Sequence, residues 1–311
     1  MTHDKYQILV ETAKTLPPVT TAVAHPCDAS SLSAAIDAAQ LGLIVPILVG
    51  PQAKVAAAAE ACKLDISGYE RIDAPHSHAA AAQAVELVRA GRAEALMKGS
   101  LHTDELMAAV VHKDIGLRTE RRISHCFVMD VPDYGDALII SDAAVNIAPT
   151  LADKVHIVQN AIDLAHALRF EAVRVAILSA METVNPQVPS TIEAAALCKM
   201  ADRGQISGGV LDGPLALDNA ISPEAAQIKQ IVSPVAGRAN VLIVPDLEAG
   251  NMLAKSLSFL AKADSAGIVL GARVPIILTS RADSVMARLA SCAVAVFVAQ
   301  ARREQAAKAI A

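Results

Sequence analysis

Along the chain, short runs of β-branched and apolar residues alternate with longer segments in which alanine and leucine recur at helical spacing. That alternation is the pattern of a mostly parallel sheet covered by helices. VTTAVAHP (19–26) reads as a strand ending in a turn, and Asp28, Ser30 and Ser31 supply helix-start chemistry for a helix through LSAAIDAAQLG that stops at Gly42. VPILVGP (45–51) reads as a second strand. SHAAAAQAVELVRAG (77–91) reads as a helix with Ser77 as N-cap and Gly91 as its stop, delivering EALMKGS as another buried strand.

The middle third repeats this order. KVHIVQNAIDLAHAL is helical and VRVAILSA a strand, while STIEAAALCKMADRG opens with Ser190 and Glu193 spaced as a capping box and closes on Gly204. NVLIVPD, IVLGARVPIIL and a final helix from Asp283 onward complete the pattern. Breaks at the SDAAVNIAP turn (141–149) and near Gly271 divide the chain into a first α/β domain, 1–144 plus 271–311, and a second, 145–270.

Composition narrows the possible functions. With 311 residues, 53% of them hydrophobic, the chain can bury a sizeable core. A formal net charge of −5 and a pI near 6.0 exclude a protein that works by neutralising a nucleic-acid backbone, and 2% aromatic residues offer no platform for stacking bases. An anionic ligand must then be met by a few placed cations. The five cysteines are scattered and never spaced as CxxC, so reduced thiols and a cytoplasmic location are expected. No signal peptide or uninterrupted membrane-length apolar stretch is read, and His76 and His78, with no third ligand nearby, make no metal site.

Candidate chemistry collects in loops. MKGSLHTDE (97–105), SDAAVNIAPT (141–150), LDGPLALDNAIS (211–222) and SPVAGRANVLIVPDLEAGNMLAK (233–255) place small and polar residues where a parallel sheet binds ligands, beyond the C-terminal ends of strands. PIILTSRADS (275–284) adds a fifth, a buried strand ending in a hydroxyl, a fixed cation and a carboxylate.

DGPLALDNA, SPVAGRANVLIVPDLEAGNMLAK and VPIILTSRADS, in this order and at this spacing, resemble the signature stretches of the phosphate acetyltransferase and phosphate butyryltransferase family. The resemblance runs from about Thr20 to the C-terminus and is dense from Ser124 onward. It implies two α/β domains with mostly parallel sheets, similar in architecture to the isocitrate and isopropylmalate dehydrogenases, usually dimeric, with an active-site cleft between them. It also implies reversible transfer of a short acyl group between coenzyme A and inorganic phosphate through a ternary complex. No metal and no bound cofactor are implied; coenzyme A or its acyl thioester is a substrate. Acetyl is the first choice of acyl group, although RGQISGGVLDGPLALDNAIS, PDLEAGN and SRADS stand nearer the butyryltransferases in wording. Two rivals remain. A decarboxylating dehydrogenase would need a glycine fingerprint and grouped aspartates, which are not found, and a non-catalytic acyl-coenzyme A-binding module would bind without turnover.

By the resemblance, Ser280 and Arg281 contact phosphate and the charge developing on the acyl oxygen, a task that suits a bidentate guanidinium. Asp283 is the nearest candidate for the base that deprotonates the coenzyme A thiol, with helix capping as the alternative. Asp212 could orient Arg281 or replace Asp283, or else hold a turn with the Gly-Pro that follows. Lys98 is a second phosphate cation, with the Gly99 and Ser100 amides as donors that cradle the anion. Gly237 and Arg238 before a strand, and Asn251 at a helix start, are read as ligand contacts or as fold-specifying turns. Asn146 is placed facing the ligand in preference to bracing backbone, and one of Arg118, Arg121 and Arg122 is a further ligand cation or part of a solvated loop.

Overall fold

The computed structural model describes residues 4–279 and 283–310. Ser280 and Arg281 therefore lie outside the described residues. The chain forms two compact units, one continuous (122–265) and one assembled from 4–121 and 266–310.

The discontinuous unit begins with α1 (Asp4–Ala13), β1 (Val19–Ala24), α2 (Ala29–Gln40), β2 (Ile44–Gly50), α3 (Gln52–Cys62), β3 (Glu70–Asp73), α4 (Ser77–Arg89), β4 (Ala95–Lys98) and α5 (Thr103–Val110). The continuous unit contains β5 (Ser124–Asp130), β6 (Leu138–Ser141), α6 (Leu151–Ala167), β7 (Arg174–Leu178), α7 (Pro189–Asp202), β8 (Val210–Leu215), α8 (Leu217–Ile221), α9 (Pro223–Ile228), β9 (Val241–Ile243) and α10 (Leu247–Phe259). The chain then returns through β10 (Asp264–Leu270), β11 (Ile276–Ile277) and α11 (Val285–Ile310).

In the discontinuous unit the strand order is β3-β2-β1-β4-β11-β10, parallel except for the β10–β11 pair. In the continuous unit it is β5-β6-β9-β7-β8, parallel except for β5 against β6. Strands buried on both faces explain the near-continuous apolar runs of β1, β2 and β4. This is the α/β architecture expected from the alternation of strand and helix patterns.

The chain changes unit earlier than the expected break at 144/145. The β5–β6 hairpin, with Cys126 opposite Ser141, is bound into the continuous unit's sheet through β6 beside β9. The return likewise precedes Gly271, because β10 is already paired to β11, Ile268 opposite Ile277. IVLGARVPIIL is thus two antiparallel strands and a turn, with Gly271 at φ +84.

Helix starts hold further differences. Asp28 caps α2 as expected, accepting from the Ser31 amide at 2.7 Å, and Gly42 and Gly91 take positive φ after their helices. His76, not Ser77, caps α4 by accepting from the Ala79 amide. The capping box expected at Ser190 and Glu193 is absent: α7 starts at Pro189, Ser190 meets the Ser179 hydroxyl at 2.9 Å, and Glu193 pairs with buried Lys154. A full capping box occurs instead at Thr150 and Asp153, opening α6. Among the described residues one helix, α11, is long and apolar enough to cross a membrane, with 61% of its most apolar stretch buried in the protein. It packs on α1 and α2 as the core helix of its unit.

Candidate active-site elements

In the discontinuous unit, the C-terminal ends of β1 and β4 carry a tightly bound pair of turns. Lys98 ends β4, is buried, and donates from Nζ to the carbonyls of Gly99 (3.3 Å) and Leu101 (3.2 Å). The Gly99 and Ser100 amides, expected to cradle an anion, are already used: they donate to the carbonyls of Ala24 (2.9 Å) and His25 (2.8 Å). A Cβ on Gly99 would stand 2.3 Å from the Ala24 oxygen, so only glycine permits this approach. What this turn offers an anion is therefore the ammonium of Lys98 and not a backbone nest.

Lys98 shares a small cavity with Asp28, Ser31, Thr279 and Arg288. Thr279 directly precedes the Ser-Arg pair, and Arg288, from the first turns of α11, donates to the Ser30 carbonyl at 3.3 Å. Two cations, Lys98 and Arg288, thus line this cavity together with Thr279. Asp283 is described and half-buried, just ahead of α11. Ser284, directly ahead of α11, accepts the Ala287 amide at 3.1 Å and so caps the helix beside Asp283.

In the continuous unit, β6, β9, β7 and β8 are parallel, so the loops after them share one edge. The turn after β6 is organised by Asp142. Its Oδ1 accepts from the amides of Ala144 and Val145 (both 3.0 Å) and its Oδ2 from the amide (3.1 Å) and side-chain Nδ2 (2.5 Å) of Asn146. Asn146 also donates to the Ile123 carbonyl (2.9 Å) and accepts from Arg122 Nε (2.8 Å), whose guanidinium reaches Asp153. Asn146 is buried and fully engaged, so it braces backbone, contrary to the ligand-facing expectation. Arg122 is likewise committed to this brace. Arg118 and Arg121 are exposed; the Arg118 backbone bridges to Ala272 and the Arg121 amide donates to Thr119 Oγ1.

Asn251 lies one turn inside α10, where its Nδ2 donates to the Ala143 carbonyl at 3.2 Å. The cap of that helix is Asp246, which accepts the Ala249 amide, so Asn251 is not at a helix start. Asp212 sits within β8, opposite Ala176, and accepts the Gly213 amide at 2.8 Å; it does not lie beyond a strand end. Gly237 and Arg238 precede β9 and so occupy the opposite edge of this sheet from Asn146 and Asn251. Gly237, at φ +79, has Pro223 Cα 2.7 Å from where a Cβ would be, and the Arg238 carbonyl accepts from Arg174 Nε. Both are fold-specifying.

Burial suppresses thiolate formation at four of the five cysteines. Burial pushes Cys126, Cys198 and Cys292 up to about 12 and Cys27 up to about 11. None forms a thiolate readily at neutral pH. His125, buried beneath the Asp142 turn, is pushed down to about 4 by burial, with the Asp142 charge opposing. Asp142, His25 and Arg288 were not singled out from the sequence; the Ser-Asp-Ala-Ala turn and the His-Pro after β1 were the available signals.

Comparison with known proteins shows the family. The family model described as "Phosphate acetyl/butaryl transferase" matches residues 74–296. A phosphate acetyltransferase of Rhizobium meliloti is 65% identical over 96% of this chain and 95% of its own. A phosphate butyryltransferase of Clostridium acetobutylicum is 41% identical over 89% of this chain and 92% of its own. A solved branched-chain phosphotransacylase from Enterococcus faecalis superposes with TM-score 0.78 at 29% identity, covering 90% of this chain and 99% of that one. A 4-hydroxythreonine-4-phosphate dehydrogenase from Burkholderia phymatum shares the fold alone, with TM-score 0.54 at 14% identity over 90% of this chain and 98% of that one. The α/β architecture, the family model over residues 74–296 and the match along nearly all of both chains converge: the chain belongs to the phosphate acetyl/butyryl transferase family of acyltransferases.

Proposed function

We propose that this chain is a phosphate acetyltransferase, moving an acetyl group reversibly between coenzyme A and inorganic phosphate. The observation that carries this reading is the 65% identity to the Rhizobium meliloti phosphate acetyltransferase along nearly all of both chains, against 41% to the Clostridium acetobutylicum butyryltransferase.

The proposed chemistry assigns a role to each candidate group. A coenzyme A thiol, ionising near about 8.5, loses its proton to Asp283, and the thiolate attacks the carbonyl carbon of acetyl phosphate. The bond from that carbon to the bridging phosphate oxygen breaks, and phosphate leaves with the electron pair toward Arg281 and Lys98. Ser280 donates to the acyl oxygen as it gains charge. In the reverse direction phosphate oxygen attacks the thioester and the thiolate recovers the proton. Burial raises the thiols of Cys27, Cys126, Cys198 and Cys292, which disfavours an acyl-cysteine intermediate at those four. We place the protein in the cytoplasm as a homodimer; free cysteines fit the reducing location, and size-exclusion with light scattering reads the subunit number.

The test is thiol release from acetyl-, propionyl- and butyryl-coenzyme A, each with and without phosphate. Phosphate-dependent release fastest with acetyl is the expected result. A butyryl preference reassigns the acyl group, and no phosphate-dependent release with any donor overturns the enzyme in favour of a binding module.

A further inference from the structure

The turn that carries Lys98 is fastened by one side-chain pair. Ser100 Oγ lies 2.8 Å from the His25 carbonyl oxygen, 3.0 Å from His25 Nδ1 and 3.2 Å from the Cys27 amide nitrogen. Two oxygens at 2.8 Å need a hydrogen between them, and only the serine has one to give. The hydroxyl proton is thereby committed to the carbonyl, so Nδ1 must carry its own proton and donate to Oγ. Ser100 fixes the tautomer of His25, and His25 in turn fixes the rotamer of Ser100. The pair joins residues 75 positions apart, at the ends of adjacent parallel strands β1 and β4.

The backbone around the pair is held with unusual closeness. His25 adopts φ +56, a left-handed conformation that costs a residue other than glycine or asparagine, and its carbonyl accepts three donors: the Ser100 amide, the Ser100 hydroxyl and the Cys27 amide. The Gly99 contact with Ala24 leaves the turn no room to shift toward β1. The charges facing the imidazole are Lys54 of α3, Glu105 of α5 and Asp28 ahead of α2; burial and Lys54 lower its pKa, against Glu105 and Asp28. The hydrogen bonds require a proton on Nδ1, and burial favours the ring in its neutral, Nδ1–H form over the doubly protonated one.

We propose that His25 is a positioning residue of the transferase: through its Nδ1–H bond to Ser100 it sets the Lys98–Ser100 turn, and with it the placement of the Lys98 ammonium on the phosphate substrate. This rests on the reading of Lys98 as a phosphate contact. The conformation and the donor make opposite demands on substitutions. Glycine keeps the left-handed backbone and removes the donor. Asparagine tolerates the same backbone and puts an amide N–H near the place of Nδ1.

The test measures KM for phosphate, KM for acetyl-coenzyme A and kcat for His25→Gly, His25→Asn, Ser100→Ala, the His25→Gly/Ser100→Ala double variant and Lys98→Met, with melting temperatures alongside. His25→Gly is expected to raise the phosphate KM about tenfold with the acetyl-coenzyme A KM unchanged, and His25→Asn to restore it to within about threefold of the parent. The double variant is expected to be no worse than the worse single, since both remove one interaction. If His25→Asn is as impaired as His25→Gly, the ring itself acts and the positioning role is wrong. Equal rises in both KM values, following the loss in melting temperature, reduce the pair to general stability and also overturn it. If Lys98→Met raises the phosphate KM while His25→Gly leaves it alone, the proposal fails and the Lys98 reading stands. If Lys98→Met has no effect, that reading fails first.

Discussion

The carboxylate of Asp142 and the side-chain amide of Asn146 meet at 2.5 Å, closing a turn in which every polar atom of Asn146's side chain is engaged. Three backbone amides converge on the same carboxylate. Asp142→Ala strands those donors in a buried turn and is expected to cost about 2–4 kcal/mol of stability. Asn146→Ala should cost about 1–3 kcal/mol. Chemical denaturation of the ligand-free protein measures both. A normal midpoint for Asn146→Ala with a raised KM would return that residue to the ligand-facing role.

In the proposed mechanism Asp283 is the base, and its neighbour Ser284 caps α11. Ser284 accepts the Ala287 amide, so Ser284→Ala should cost about 1 kcal/mol and leave turnover near normal. Asp283→Asn should do the reverse, lowering kcat roughly 10²–10⁴-fold at unchanged melting temperature. Normal turnover in Asp283→Asn removes it as the base, and the Asp212 alternative is then tested by the same substitution there.

Lys154 and Glu193 join α6 to α7 with unequal exposure, 5% for the lysine side chain and 28% for the glutamate. Removing the glutamate leaves a buried ammonium without its partner, so Glu193→Ala is expected to cost about 3–5 kcal/mol. Lys154→Met should cost less, because the glutamate left behind can reach water. Melting curves for the two singles and the double read this asymmetry, and equal losses would refute it.

His125 supplies a pH dependence. Its folded pKa is pushed down to about 4 by burial, below the ordinary value near 6.5, so the unfolded chain binds the proton first. Its contribution is complete above about 6.5 and is lost as pH falls toward about 4. Stability measured between pH 7 and pH 4, as ordinary assay limits, should decline less steeply in His125→Leu than in the parent. Parallel curves would show that other groups govern the acid limb.

Strand and helix order was legible because the fold buries its parallel strands on both faces and punctuates its helices with Asp28, Gly42 and Gly91. The position of Lys98 at a strand end was legible for the same reason. Edge assignment was not. Gly237 and Arg238 look like a loop feeding the site, but they enter β9 and do not leave it, and spacing alone does not say which end of a strand faces a ligand. The Gly99 and Ser100 amides show the other limit: whether a glycine turn is open to an anion depends on what packs against it, here Ala24 and His25, far away in the chain. The His25–Ser100 pair is invisible in the sequence for that reason too.

The two-residue strand β11 lies between β4 and β10 and is the piece that joins them. It is also synthesised long after β4, once the 122–265 unit has been made. During translation, residues 122–265 can complete their own sheet while the β3-β2-β1-β4 group waits on the ribosome with one edge unpaired. Only after residue 277 emerges does that edge find its partner, and only after α11 follows is α1 covered. The nascent protein therefore carries an exposed strand edge throughout the synthesis of the 122–265 unit, a period in which holding chaperones have something to recognise.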